Sequence, residues 1–249
     1  MKRRLKRLIL ICLSITLLLS GGLYIFYPKS RVYPERLWFD SFNENPAINS
    51  QAEVADILAS FPELSQAELP AAYKRAGGFG ESKYRNITKG LRYFVIQKKD
   101  CYRRIAGNIR IMDLMSRDSM FHKTSYASDQ AIYWGIDKRI LNKILELRAL
   151  LKAKGYDPNA FSAVNGHRYP RYNERIGGAS KSRHIRGEAV DMYIGDINRD
   201  GRYTKADKAI VIDLCENHII KNKGGVGRYP GTRTVHMDVR GYKARWDQQ

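Results

Sequence analysis

The sequence is short of acidic residues, of histidine and of cysteine, and it contains no internal repeat or low-complexity tract. The absence of repeats excludes a solenoid-like array, and a 43% hydrophobic content over 249 residues excludes a disordered chain. Acidic residues number 25 against 44 basic ones, a formal net charge of +19. No recognisable nucleic-acid-binding module accompanies that charge, so nucleic acid is a poor candidate partner. A solvated basic surface is the plain reading, and anionic lipid head groups or cell-wall polymers are the partners it would suit. Cysteine occurs three times, at Cys12, Cys101 and Cys215, so at most one intrachain disulfide, Cys101 to Cys215, could form outside a membrane.

Long apolar runs are equally scarce, and the single one is informative. MKRRLKR opens the chain with five positive charges, and Leu8 to Phe26 follows without any charge. About 20 such residues cross a bilayer as a helix. A cleaved signal peptide has a shorter apolar stretch, about 7 to 15 residues, ending at a small-x-small site. Here Ser20-Gly21-Gly22 runs straight into more apolar and aromatic residues. Residues 8–27 are therefore expected to be a transmembrane signal anchor, with residues 1–7 cytoplasmic and everything after Tyr27 facing the periplasm or cell exterior. Cys12 lies inside the apolar run after Ile11 and reads as a membrane thiol, not a lipidation site.

Residues 28–130 form an extracytoplasmic region without an assigned role. It begins as a proline-bearing linker, then shows a capping box at Ser50–Glu53 ahead of Val54, Ile57, Leu58 and Phe61 at helical spacing. Residues 92–97 and 108–112 are rich in β-branched and aromatic residues and read as strands. From Asp137 to Lys154 the positions Ile140, Leu141, Ile144, Leu145, Leu147, Leu150 and Leu151 make one apolar stripe, with Asp137 as N-cap and Gly155 as the stop.

The chemistry-bearing residues come later. In SRHIRGEAVDM, His184 precedes a turn at Arg186-Gly187 and then a strand in which Ala189 and Asp191 share one face. In TVHMDV, Val235, Met237 and Val239 take one face and His236 and Asp238 the other. Two imidazoles and a carboxylate are a familiar donor set for catalytic Zn²⁺, because three protein ligands leave a fourth position for water.

These segments together, NERIGGASKSRHIRGEAVDM, GGVGRYP, VHMDVRG and Arg245-Trp246, resemble the zinc D-alanyl-D-alanine carboxypeptidase and murein endopeptidase family, which shares its fold with the hedgehog signalling domain. Ser182, His184, Gly187, Ala189, Asp191 and His236 meet its signature, S-x-H-x-x-G-x-A-x-D followed by H-x-D or H-x-H. The resemblance covers roughly residues 137–249 and implies an α+β domain over 131–249, a small antiparallel sheet flanked by helices. It implies His184, Asp191 and His236 as zinc ligands, and Arg168 as the arginine that holds the substrate carbonyl or carboxylate near the metal. The implied activity is hydrolysis of peptide bonds in the stem peptides or cross-bridges of peptidoglycan, as a carboxypeptidase or endopeptidase. One departure stands out: many relatives have an acid three residues before the last histidine as general base, and this chain has Arg233. Asp238 is then the favoured base, with the alternative that it orients a histidine, and Glu188 is a weaker candidate on the opposite strand face. The same departure motivates a second reading, a catalytically weak, metal-containing protein that binds cell wall or a partner.

A separate pattern lies in DINRDGRYTKAD, residues 196–207. Asp196, Asn198, Asp200, Thr204 and Asp207 occupy positions 1, 3, 5, 9 and 12 of an EF-hand loop, Gly201 the turn, and Arg202 position 7 through its carbonyl. Calcium is the cofactor this pattern predicts, as a structural clamp beside Asp191, and an apolar segment from Ala209 to Ile219 suggests an exiting helix.

Overall fold

The computed structural model describes residue 36 and residues 39–79, 81–116 and 131–247. The expected membrane anchor, residues 8–27, lies outside them. Among the described residues no helix is long and apolar enough to cross a membrane. The chain divides into two compact units, Met1–Asn45 and Pro46–Gln249, and all that follows concerns the second.

In chain order that unit contains helix α1 (Gln51–Ala59), strand β1 (Glu63–Ser65), helix α2 (Ala71–Gly77), a single helical turn (Ser82–Arg85), strands β2 (Arg92–Ile96), β3 (Arg104–Ala106), β4 (Ile109–Arg110) and β5 (Ile132–Gly135), then helix α3 (Lys138–Ala153). There follow β6 (Phe161–Asn165), α4 (Pro170–Arg175), β7 (Ala189–Ile194), α5 (Lys205–Asp213), β8 (Gly225–Gly227), β9 (Thr234–Asp238) and β10 (Ala244–Trp246). The result is α+β, with three small sheets: β1-β2-β5, the pair β3-β4, and a five-stranded sheet in the order β10-β8-β9-β7-β6. Pairing is antiparallel throughout, except that β10 runs parallel to β8 at one edge.

Local signals explain the helices. Ser50 and Glu53 complete the capping box, the Ser50 hydroxyl accepting from the Glu53 amide while Glu53 accepts from the Ser50 amide. Asp137 caps α3 by accepting from the Arg139 amide, and Gly155 ends it in the left-handed region at φ 80°. Ile140, Leu141, Ile144, Leu145, Leu147 and Leu151 of α3 are buried, each worth about 1.5–3 kcal/mol relative to exposure, while Leu150 is half-buried at the stripe's margin. The second expected strand is shorter than its composition suggested: β4 stops at Arg110, where the Asp113 carboxylate accepts from the Arg110 amide and turns the chain into a 3₁₀ turn, Ile111–Leu114.

The compact unit runs across position 131. Strand β2 pairs with β5, and the Leu114 carbonyl accepts from the His167 amide at 2.8 Å. Residues ahead of the motif-bearing segment thus buttress the loop that follows β6. The possible Cys101–Cys215 disulfide is corrected by the structure: both thiols are free and buried, each beside a methionine sulfur, Met115 and Met237 respectively. Burial pushes each thiol up to about 12, so neither is a reactive thiolate at neutral pH.

Candidate metal centre

The five-stranded sheet is what makes a site of three distant residues. Its inner face is built from Val190, Met192 and Ile194 of β7 and Val235 and Met237 of β9, all fully buried, which fixes the register. In that register Asp191 stands directly opposite His236, and Ala189 opposite Asp238. His184 reaches them from a 3₁₀ turn, Arg183–Arg186, started by Ser182, whose hydroxyl accepts from the His184 amide. Gly187 closes the turn at φ 62°, where a Cβ would lie 2.9 Å from the Gly135 carbonyl oxygen. Only glycine tolerates both the angle and the approach.

The donor atoms converge. His236 Nδ1 lies 2.9 Å from Asp191 Oδ1 and 3.2 Å from His184 Nε2, and His184 Nε2 lies 3.2 Å from Asp191 Oδ2. Among the described residues this trio is the one group of three or more His, Cys, Asp or Glu side chains close enough to share an ion.

The outer side of each ring is equally defined. His184 Nδ1–H donates to the Gly166 carbonyl at 2.6 Å, and His236 Nε2–H donates to Asp238 Oδ2 at 3.0 Å. With those nitrogens committed as donors, His184 Nε2 and His236 Nδ1 turn lone pairs toward each other and toward a carboxylate. That arrangement is repulsive unless a cation sits among them, either a proton or a metal ion. The titration behaviour agrees. Burial lowers His184, outweighing the pull of Asp191. Burial opposes charging His236 too, but Asp191 and Asp238 outweigh it and hold His236 above the ordinary range. Asp191 is held well below the usual carboxylate range: burial would raise it, and His184 and His236 prevail. The residues present fit a Zn²⁺ with two imidazoles and one carboxylate.

Arg168 is at the centre, its guanidinium donating to Asp191 Oδ2 at 2.9 Å, while its Nε is buried without a partner. Asp238 stands elsewhere than a base must. It is fully buried behind His236, on the side of the ring away from the converging nitrogens. Arg240 clamps both of its oxygens, at 2.6 to 3.1 Å, and the Gly225 amide donates to Oδ1. Burial would raise its pKa, but His236 and Arg240 hold it far below the usual range. This is the geometry of the orienting residue that the sequence left as the alternative. Glu188 is sequestered among Arg183, Arg186 and Arg139, at 3.0, 3.1 and 3.6 Å.

Sequence reasoning gave no role to Asn165, whose amide donates to Asp191 Oδ2 at 3.1 Å across a bulge in β6. It also missed the Gly166 carbonyl, and it left Arg240 and Trp246, which lie within the resembling segments, without a role; the Trp246 ring packs 5.0 Å from the His236 ring. Arg240 was findable, two residues past Asp238. The others depend on which loops meet.

The loop over residues 196–207 has the expected turn, with Gly201 at φ 92°, and Asp196 and Asp200 accept from amides within it. Asn198 Oδ1 accepts from the Asp200 amide, and Thr204 caps α5. Asp207 is turned inward. Its Oδ1 accepts from the Ile197 and Asn198 amides, and its Oδ2 from the Thr204 amide and hydroxyl. Asp196, Asp200 and Asp207 do not gather as the trio does. Calcium at Asp196, Asn198, Asp200, Arg202, Thr204 and Asp207 is therefore not supported. In this geometry the twelfth position, Asp207, braces backbone amides of its own loop.

Residues 126–238 match the Peptidase M15 family. No curated protein matches the chain.

Proposed function

Starting from a segment, residues 126–238, that is of the Peptidase M15 family, we propose that this protein is a zinc-dependent peptidase acting on peptidoglycan. Its substrates on this reading are the stem peptides or cross-bridges, cut as a D,D-carboxypeptidase or an endopeptidase. The observation that carries the reading is the pair of imidazoles whose outer nitrogens are both committed as donors, so that their inner lone pairs converge with Asp191.

Bound zinc would supply a water acidified to a pKa of about 7 and a Lewis acid for the scissile carbonyl. His184, His236 and Asp191 would hold it. Gly166 and Asp238 fix the two rings, and Arg240 fixes Asp238. Arg168, whose guanidinium donates to Asp191 Oδ2 at 2.9 Å and so stands at the centre, is the group to steady the substrate carbonyl as negative charge develops on its oxygen. Trp246 packs beside His236, with ring centroids 5.0 Å apart.

The test is incubation of the zinc-loaded protein with purified murein, followed by chromatographic separation of muropeptides. New, shorter peptides are expected. Unchanged muropeptides at full zinc occupancy would overturn the reading. They would favour the second one, a metal-containing wall-binding protein, for which Arg233 at the usual acid position and the sequestration of Asp238 speak. We further propose that residues 8–27 anchor the chain with the peptidase segment outward; protease digestion of spheroplasts or protoplasts, whose cytoplasmic membrane is sealed and exposed, should remove that segment, and protection from it would refute the orientation.

A further inference from the structure

Arg233 has a definite environment of its own. It is exposed, just ahead of β9, and its carbonyl accepts from the Ile194 amide, which ties it to the end of β7. Its guanidinium lies over the Tyr203 ring at 4.2 Å and over the Tyr193 ring at 5.7 Å. Tyr203 is contributed by the 196–207 loop, so that loop, braced by Asp207, serves here to present an aromatic face. Among the described residues no carboxylate lies within ion-pair reach of Arg233. A cation braced on two rings and lacking an anion has its planar fork of donors pre-organised and unspent.

Its place relative to the centre follows from strand geometry. Tyr193 is two residues beyond Asp191 on β7 and shares its face, a step of roughly 6.6 Å. Tyr193 is 44% exposed there. An extended peptide whose scissile carbonyl sits at the metal centre advances by about 3.3 Å per residue, so on a peptide running alongside β7 a group two residues along covers the same step as Asp191 to Tyr193.

We propose that Arg233, braced on Tyr203 and Tyr193, is a carboxylate-binding subsite that seats a free carboxylate of the substrate peptide beside the metal centre. The proposal rests on the peptidase reading and narrows it to anionic peptides. A guanidinium binds a carboxylate bidentately, which gives direction as well as affinity. The carboxylate can come from the peptide's C-terminus or from a side chain next to the scissile bond.

The test measures binding, not turnover. Three peptides carry a methyleneamine in place of the scissile amide, so none can be cut: acetyl-Lys-D-Ala-D-Ala with a free C-terminus, the same peptide as its C-terminal amide, and an amidated version with D-Glu as the last residue. Each is titrated calorimetrically into the full-length zinc-loaded protein. Wild-type protein is expected to bind at least one carboxylate-bearing peptide roughly tenfold or more tighter than the neutral amide, and which one identifies the source. Arg233→Gln should erase that preference without changing zinc content, and Arg233→Lys should retain part of it. Tyr203→Leu, which removes the nearer ring, should weaken it. Equal binding of all three peptides by the wild type, or an undiminished preference in Arg233→Gln, overturns the proposal. Murein digestion is scored separately: a protein that discriminates between the peptides yet leaves murein intact sinks the peptidase reading alone.

Discussion

Asp238→Ala separates an orienting residue from a proton acceptor. Asp238 accepts the Nε2–H of His236 at 3.0 Å, and Arg240 grips its carboxylate from the other side. Removing the carboxylate frees the His236 ring to rotate and to carry its proton on either nitrogen, so fewer molecules present Nδ1 to the metal. Loss of such an outer partner costs on the order of 10- to 100-fold in metal affinity, about 1.4 to 2.8 kcal/mol. The variant should therefore bind zinc that much more weakly in competition with a chromophoric chelator. Its peptidase activity should fall at limiting zinc and recover most of the way at saturating zinc. Asp238→Asn should behave alike, since an amide oxygen still accepts but lacks the charge that favours the ring's proton. The refuting result is unchanged zinc affinity with activity lost more than a hundredfold at full occupancy. That would make Asp238 the base after all.

Other expectations follow from the same contacts. Burial and the neighbouring His184 push His167 down to about 3, against about 6.5 in an unfolded chain. The unfolded state then binds more protons between those values, so this contribution to stability is complete above pH 6.5 and is lost as pH falls toward 3. The loss is at most about 5 kcal/mol, and His167→Gln should flatten that limb of the urea-denaturation profile; an unchanged slope refutes the assignment. Zinc should raise the melting temperature by binding the folded chain alone, about 2.7 kcal/mol at a hundredfold excess over Kd, and should bind more weakly as falling pH protonates His236; pH-independent affinity would contradict the trio as ligands. Asp207→Ala, which strips four hydrogen bonds from a buried carboxylate, should cost about 2–4 kcal/mol in calcium-free buffer, and a stability loss seen only with calcium present would restore the ion. Gly187→Ala should cost at least about 1 kcal/mol and weaken zinc binding together, because the Cβ meets the Gly135 carbonyl and shifts the turn that carries His184.

What could be read from the sequence was whatever depends on neighbours along the chain. The capping box at Ser50, the helix from Asp137 to Gly155, the glycine turn after His184 and the alternation of TVHMDV are all local, set by hydrogen bonds and side-chain periods spanning a few residues. Alternation also puts Asp191 and His236 on the polar faces of their strands, while the resemblance to a zinc peptidase family, not the spacing, singled out His184, Asp191 and His236 together as candidate donors. Tertiary structure decided the rest. Register between β7 and β9, set by burial of Val190, Met192, Val235 and Met237, brings Asp191 opposite His236. The same pairing places Asp238 behind the ring, which strand alternation could not tell from beside it. Cys101 and Cys215 were equally open in the sequence and end in separate buried pockets as thiols. The acidic spacing of residues 196–207 matched a calcium loop, but a side chain's neighbours in space determine what its oxygens do. For Asp207 those neighbours are amides of its own loop, and for Tyr203, at the same loop's surface, the neighbour is Arg233.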